Sequence, residues 1–502
     1  MGERLAAGGR ALPVLLAVLL AVQAAMHVAL IGAMQFSDEG TYLAMGKFVS
    51  QGEIIYRDFF DYHSPGTTLA AAAAFSAFGP SYGLARVLAL AAQLGVTLLL
   101  FFVGREWFGE EVALLGAAVY ALTEPTLGGI WFVAEPFLAF FTLASFALFY
   151  FRYYAKGPAW LDARLLLPAS GIAAGLAAAF KQPGAAFALF VFLAIAATGL
   201  LRGERKERVA RDLASFSLGA ALPWLLLAAY FALAGGLWDA AYWLVYFPVV
   251  VKNSRDAGFF VETPGSPMFL VAAAALVACL LARGKVYADG RGLSRDALAL
   301  GFIAFACVTG VPRFNAFHVM AAFPVLSLLS AEVLLSRIPP KVGSLGKLVP
   351  AMETLAAGFA AYFVAFSVLA AALLALYPGE SAYGMHRELR CLGGPLLAVP
   401  FDNFAYFFSD CGHASYYIML DPVWATPEMD ARAWEDVRAK NATVEYAAER
   451  VNGKCLEDFA PVLFRGLKAD YEVYSQPGEN MFVLKPKSGE TRPDAGVWGA
   501  CK

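Results

Sequence analysis

The 502-residue chain is poor in charge: Asp, Glu, Lys and Arg make up 16% of it, against about 25% in an average soluble domain. Neither sign is in excess, since 38 basic residues face 40 acidic ones. Without a basic surplus to neutralise phosphates, nucleic-acid binding is disfavoured. Histidine is scarce, at five, and no HxxxH or CxxC cluster occurs. The residue pattern therefore predicts no dedicated metal site. No P-loop or other glycine-rich phosphate loop stands out. No internal repeat of fixed period is visible.

What is present is apolar. Hydrophobic residues are 60% of the chain and mean hydropathy is +0.60. These values exclude an ordinary soluble enzyme and a disordered protein. A spanning helix needs roughly 20 mostly apolar residues. About eleven such segments are predicted, over 11–33, 82–104, 112–129, 131–151, 165–180, 184–201, 213–235, 267–282, 297–311, 315–336 and 352–377. The first is too apolar over too great a length for a cleaved signal peptide and reads as an anchor. The expected architecture is an all-α polytopic membrane domain over 1–377, followed by a small α/β domain over 378–502. In that tail Pro395–Pro400, Ser415–Leu420 and Asn480–Leu484 read as strands, and Asp430–Ala439 as a helix.

Basic residues set the orientation. With the N-terminus in the cytoplasm, the inner segments hold eighteen Lys and Arg and the outer loops hold six. Eleven spans then put the tail outside. Cys391, Cys411, Cys455 and Cys501 all lie there, in a compartment where they could oxidise, with three pairings open. Cys279 and Cys307 sit in apolar segments and read as packing residues. The first outer loop, about 34–81, carries two short helical patterns, Tyr42–Val49 and Thr67–Phe78, that would lie along the membrane surface.

Several ionisable residues stand where charge is costly. Asp38-Glu39 directly follows the first span; the pair could do chemistry, or simply cap a helix N-terminus. Tyr56-Arg-Asp-Phe-Phe-Asp-Tyr-His-Ser-Pro-Gly66 places Asp61 and His63 among aromatic residues before a turn, and reads either as part of a site or as a connector. Arg86, Glu135, Lys181, Arg313 and His318 recur near the predicted outer ends of spans. Each alone could snorkel or pair internally. Together they suggest one outward-facing polar cavity, with cations suited to a phosphate and acids suited to general-base work.

These residues, in this order, resemble the motifs of the GT-C fold glycosyltransferases, integral membrane enzymes that use polyprenyl-phosphate sugars. Asp38-Glu39 resembles their acidic pair after the first helix. Phe60-Asp-Tyr-His-Ser-Pro-Gly66 is similar to the Phe-Asp-x-His-Pro-Pro-Leu run of protein O-mannosyltransferases, and to the Lys-Pro-Pro-Leu element of the aminoarabinose transferase branch. Ser64-Pro65-Gly66 here replaces Pro-Pro-Leu, and His63 stands where that branch has Lys. Arg86 looks like the second-helix Arg, and Glu135-Pro-Phe-Leu138 like the second acidic motif. Lys181-Gln-Pro-Gly184 resembles the Lys-Gly-Pro element. Arg313-Phe-Asn-Ala-Phe-His318 with Phe323-Pro324 resembles the late Arg…His-Tyr…Leu-Pro helix. The resemblance covers about 30–340.

It implies inverting transfer of a sugar from a dolichyl or undecaprenyl phosphate to an acceptor outside the cytoplasm: a protein, a lipid or a cell-envelope glycan. Asp38 would be the general base, supported by Glu39. His63, Arg86, Lys181, Arg313 and His318 would hold the donor phosphate, and Glu135 and Asp61 would orient the acceptor. Some relatives use a divalent cation. The expected home is a prokaryotic cell membrane. The rival function is a transporter or flippase of lipid-linked sugars, which would also be an apolar bundle with internal charges.

Overall fold

A computed structural model of the protein describes residues 2–31, 37–155, 162–252, 260–261, 292–308, 313–314, 317–335, 394–400, 402–409, 411–422, 424–451, 453–478, 480–488, 497–499 and 501, with a few isolated positions between 364 and 389. From the N-terminus the helices run α1 (Gly2–Ala29), α2 (Ser37–Ser50), α3 (Gly66–Phe78), α4 (Tyr82–Phe108), α5 (Glu110–Thr123), α6 (Ala134–Tyr153), α7 (Leu166–Phe180), α8 (Gly184–Leu201) and α9 (Lys206–Leu233). Further helices occupy Arg295–Cys307 and Phe323–Leu335.

Five of the described helices are long and apolar enough to cross a membrane: Leu12–Ala29 of α1, and α4, α6, α8 and α9. The chain is therefore an integral membrane protein. The predicted spans 112–129, 165–180, 297–311 and 315–336 correspond to shorter helices of 13 to 15 residues. In the first case Pro125 is the reason. It lies in a tight 3-10 turn, Glu124–Leu127, that stops α5, and Gly128 at φ 97° completes the stop. The predicted span 267–282 and nearly all of 352–377 lie outside the described residues, as does Cys391.

The described chain falls into two compact units. The first comprises Met1–Ile31, Arg86–Leu227 and Gly258–Tyr377. Its core joins aromatic side chains from several helices: the Phe302 ring lies 5.3 Å from Phe146 and 4.8 Å from Phe187, both edge-on. In lipid, tight packing rather than water exclusion must hold such helices together. α7 and α9 show how. A Cβ on Gly171 would sit 2.0 Å from the Phe216 carbonyl oxygen, and one on Gly175 2.3 Å from that of Ala220. From the other side, a Cβ on Gly219 would sit 2.2 Å from the Pro168 oxygen. Three glycines thus let two backbones touch.

The second unit comprises Gly32–Ala85, Ala228–Ala257 and Pro378–Lys502. α2 and α3 match the two short helices predicted for the first loop; α2 begins at Ser37 rather than Tyr42, and α3 one residue before the predicted Thr67. The tail holds a five-stranded mixed sheet in the order β4-β3-β5-β7-β6. Its strands are β3 (Pro395–Val399), β4 (Gly412–His413), β5 (Thr443–Ala447), β6 (Tyr471–Gly478) and β7 (Met481–Pro486); a separate two-residue pair, β1 (Phe260–Val261) and β2 (Arg313–Phe314), belongs to the first unit. β4, β3 and β5 are parallel, and β7 returns antiparallel to β5 with β6 at the edge. The sequence predicts β3, β7 and the helix between, which starts at Pro427 because the Thr426 hydroxyl accepts the Met429 N–H. Ser415–Leu420 is not a strand. Its backbone is used elsewhere: the Tyr416 carbonyl accepts from Phe60 N at 2.8 Å, and Tyr416 N donates to Asp436 at 3.4 Å. Of the four tail cysteines, Cys455 and Cys501 are disulfide-bonded.

Candidate functional site

In the first unit, three residues predicted from sequence converge. Glu135 lies in the first turn of α6, just after extended Val133. Lys181 follows the last residue of α7 in an extended conformation. There the chain reverses tightly into α8, and a Cβ on Gly184 would meet the Ala177 backbone at 2.7 Å. His318 lies in the turn before the short helix Met320–Ala322. The Lys181 ammonium donates to Glu135 Oε1 at 2.6 Å. His318 Nδ1 stands 3.2 Å from the same oxygen and 3.4 Å from Lys181 Nζ. Glu135 is buried, whereas the Lys181 and His318 side chains keep 18% and 24% exposure. The acid is therefore spent on holding two half-buried bases in place, and the bases retain the open face.

A second polar network in the same unit escapes the sequence reading. Glu124 Oε1 accepts from Gln23 Nε2 at 3.0 Å and stands 2.7 Å from His27 Nε2. Thr97 donates to Gln23 Oε1 at 2.9 Å, and Tyr120 donates to Gln93 Oε1 at 2.5 Å. Glu124 is fully buried, and its Oε2 takes no hydrogen bond among the described residues. Gly129 is required beside it, since a Cβ there would lie 1.6 Å from that oxygen. His27 and Arg86 both line a cleft walled by Val28, Ile31, Val87, Leu90 and Ile130. The signal was available: Gln23 and His27, and Gln93 and Thr97, are spaced four apart on spanning helices, so each pair shares one face.

In the second unit, Asp38 and Glu39 occupy the first turn of α2, where carboxylates suit the helix dipole. Asp38 is half-buried and Glu39 fully buried, with Tyr82 OH donating to Glu39 Oε2 at 3.3 Å. Asp61 Oδ1 accepts the backbone N–H of Tyr62 and His63 and lies 2.7 Å from His63 Nδ1. The turn before it is tied twice to the tail, by Phe60 N to the Tyr416 carbonyl and by Tyr416 OH to the Tyr56 carbonyl at 2.5 Å. Asp58 accepts from both Arg57 and Ile54 N, and the guanidinium holds its carboxyl below the usual carboxylate range.

The structure thus gathers Glu135, Lys181 and His318 in one cluster and Asp61 with His63 in another. It buries Glu39 beside Tyr82 and sets Arg86 beside His27 along the cleft. The Arg313 backbone pairs with Phe260, and its side chain lies outside the described residues. Among the described residues no three His, Cys, Asp or Glu side chains gather as a metal site would.

Residues 55–235 match the family model described as dolichyl-phosphate-mannose-protein mannosyltransferase. No curated protein sequence matches the chain. Solved structures do. The chain is 13% identical to ArnT from Cupriavidus metallidurans bound to undecaprenyl phosphate, with a TM-score of 0.59 over 95% of this chain and 99% of that one. It is 12% identical to the oligosaccharyltransferase AglB from Archaeoglobus fulgidus in complex with an inhibitory peptide and a dolichol-phosphate, with a TM-score of 0.52 over 95% of this chain and 75% of that one. The fold is GT-C, and the resemblance read from the motifs holds both in the family model and in the fold.

Proposed function

We propose that the protein is a membrane glycosyltransferase that moves a sugar, with inversion, from a polyprenyl phosphate to a hydroxyl acceptor outside the cytoplasm. The Glu135–Lys181–His318 cluster is the observation that carries this reading. It is a buried acid holding two bases at a half-open position, contributed by the ends of three elements far apart in sequence. Such an array suits a leaving phosphate: its charges are fixed before the reaction, so none must reorganise as negative charge develops. The undecaprenyl phosphate and dolichol-phosphate held by the two fold relatives support a lipid-phosphate donor.

In the proposed step the acceptor oxygen bonds to the anomeric carbon as the bond from that carbon to the phosphate oxygen breaks. The electron pair leaves with the phosphate, stabilised by Lys181 and His318, with Arg86, Arg313 and His63 as further cations. Asp38, only partly buried, takes the acceptor proton, whereas fully buried Glu39 supports it. Glu135 holds the bases, and Asp61 orients His63. A division into a membrane domain over 1–377 and an outer domain over 378–502, with the N-terminus in the cytoplasm, fits this reading, and the Cys455–Cys501 bond suits an oxidising compartment.

The test is incubation of the purified protein with radiolabelled polyprenyl-phosphate sugars and membrane extract, beside Asp38→Asn. Labelled glycoside from the wild type, lost in the folded variant, supports the reading. Movement of lipid-linked sugar across liposomes, with no new glycosidic bond and no effect of Asp38→Asn, replaces it with a flippase.

A further inference from the structure

α2, whose first turn carries Asp38 and Glu39, is seated on one short stretch of the C-terminal tail, residues 403–409. Five observations within the second unit make the seat. Asn403 Nδ2 donates to Thr41 Oγ1 at 2.7 Å, and both side chains are at least 98% buried. Gly40, next to Glu39, is packed so closely that an added Cβ would lie 2.8 Å from Phe404 N and 2.9 Å from its ring. Tyr82, which donates to Glu39, rests on the rings of Phe404 and Phe408 at 6.4 and 6.3 Å. At the other end of α2, buried Lys47 donates to the carbonyls of Tyr406, Phe407 and Ser409 at 2.9, 3.4 and 2.5 Å. These carbonyls end the short helix Phe404–Phe408, so the lysine serves as its C-terminal cap. Phe407 meets Phe75 of α3 at 5.9 Å.

We infer that this stretch of the tail is a positioning element for the acidic pair, with Asn403 as its positioning residue. The inference rests on the glycosyltransferase reading. The physical argument is one of constraint. Residues 38 and 39 open the helix, where a first turn has no preceding turn to hold it and frays readily. Here residues 39, 40 and 41 are each fixed from outside, one by a tyrosine hydroxyl, one by backbone contact and one by a buried hydrogen bond. A general base must sit within hydrogen-bond reach of its proton, and a shift of about 1 Å costs about a hundredfold in rate. Lys47 fixes the far end of the same helix, so α2 cannot slide along its axis without leaving three carbonyls unpaired.

The experiment uses the full chain in nanodiscs and three substitutions at the hydrogen bond. Thr41→Val keeps volume but removes the acceptor, Thr41→Ser restores it, and Asn403→Leu removes the donor. Two quantities are read: the split of kcat from donor KM in sugar transfer, and amide hydrogen exchange across Ser37–Ser50. Thr41→Val and Asn403→Leu should each lower kcat about 10- to 100-fold with donor KM within about twofold, and should speed exchange in the first turn of α2. The double variant should lose no more than either single one, and Thr41→Ser should recover most of the rate. Folded Thr41→Val with wild-type kcat, or with kcat and KM changed equally, overturns the positioning role. Wild-type protein that transfers no sugar sinks the glycosyltransferase reading instead. Faster exchange in the variants would then mark the seat as structural only, and unchanged exchange would remove the seat as well.

Discussion

Glu135 has two partners, and Lys181 at 2.6 Å is nearer than His318 at 3.2 Å. Replacing Lys181 by Met leaves a buried carboxylate with His318 alone. Breaking such a pair costs about 3–5 kcal/mol, and adding Glu135→Gln should return most of that, because the stranded charge is gone. Thermal unfolding in detergent checks both. If the cluster also receives the leaving phosphate, Lys181→Met lowers transfer about 100- to 1,000-fold beyond any loss of folded protein, and Lys181→Arg less. Asp58 gives a pH prediction outside the membrane. Its carboxyl is held low first by the Arg57 hydrogen bond and then by the Ile54 N–H, against the opposing effect of partial burial. Its contribution to stability is therefore full above the ordinary Asp value near 4 and is lost as pH falls through its lower folded value. Asp58→Asn should lower the melting temperature modestly at pH 7 and flatten its acid limb, so that variant and wild type converge as pH falls below about 4. At this scale the sequence was partly legible. Glu135, Lys181 and His318 stood out because charge beside apolar runs is rare. Gln23, His27 and Glu124 were passed over because two of the three residues are uncharged or weakly basic and each sits in an otherwise apolar or turn-like stretch.

Among the elements, α7 and α9 depend on glycine rather than on large apolar side chains. Gly175→Val should cost about 3 kcal/mol or more, because the added atoms meet a carbonyl oxygen and not a side chain that can turn away. Gly235→Ala, where a Cβ would meet nothing within 4 Å, is the control: its cost comes only from the backbone at φ 75°. Melting curves of the two variants separate close packing from conformational strain. Hydropathy found these helices but not the seam between them, since it averages over all faces of a helix. The strand prediction at Ser415–Leu420 failed for a related reason. Its residues suit a strand, but its backbone groups bond to the Ile54–Phe60 turn, to Pro400 and to Asp436 instead of a sheet neighbour.

For the whole molecule, the Cys455–Cys501 bond closes a loop of 46 residues. Chain-entropy reasoning gives it about 4 kcal/mol, so Cys455→Ser should lower the tail's unfolding temperature and loosen Val497–Gly499, whose Trp498 ring stacks on Tyr446 at 6.1 Å. Differential scanning calorimetry with and without reductant would show the same loss in the wild type and none in the variant. The sequence by itself determined that this is a membrane protein, where its main helices run, that the tail is α/β, and which charged residues deserved notice. Those properties are local: hydropathy, periodicity and capping act over a few turns. Only the tertiary structure decided that Glu135, Lys181 and His318 meet, that β5 pairs with β3 and β7, and that Asn403 reaches Thr41 from 362 positions away. Such contacts are set by the packing of elements remote in the chain, and no local pattern records which remote neighbour wins.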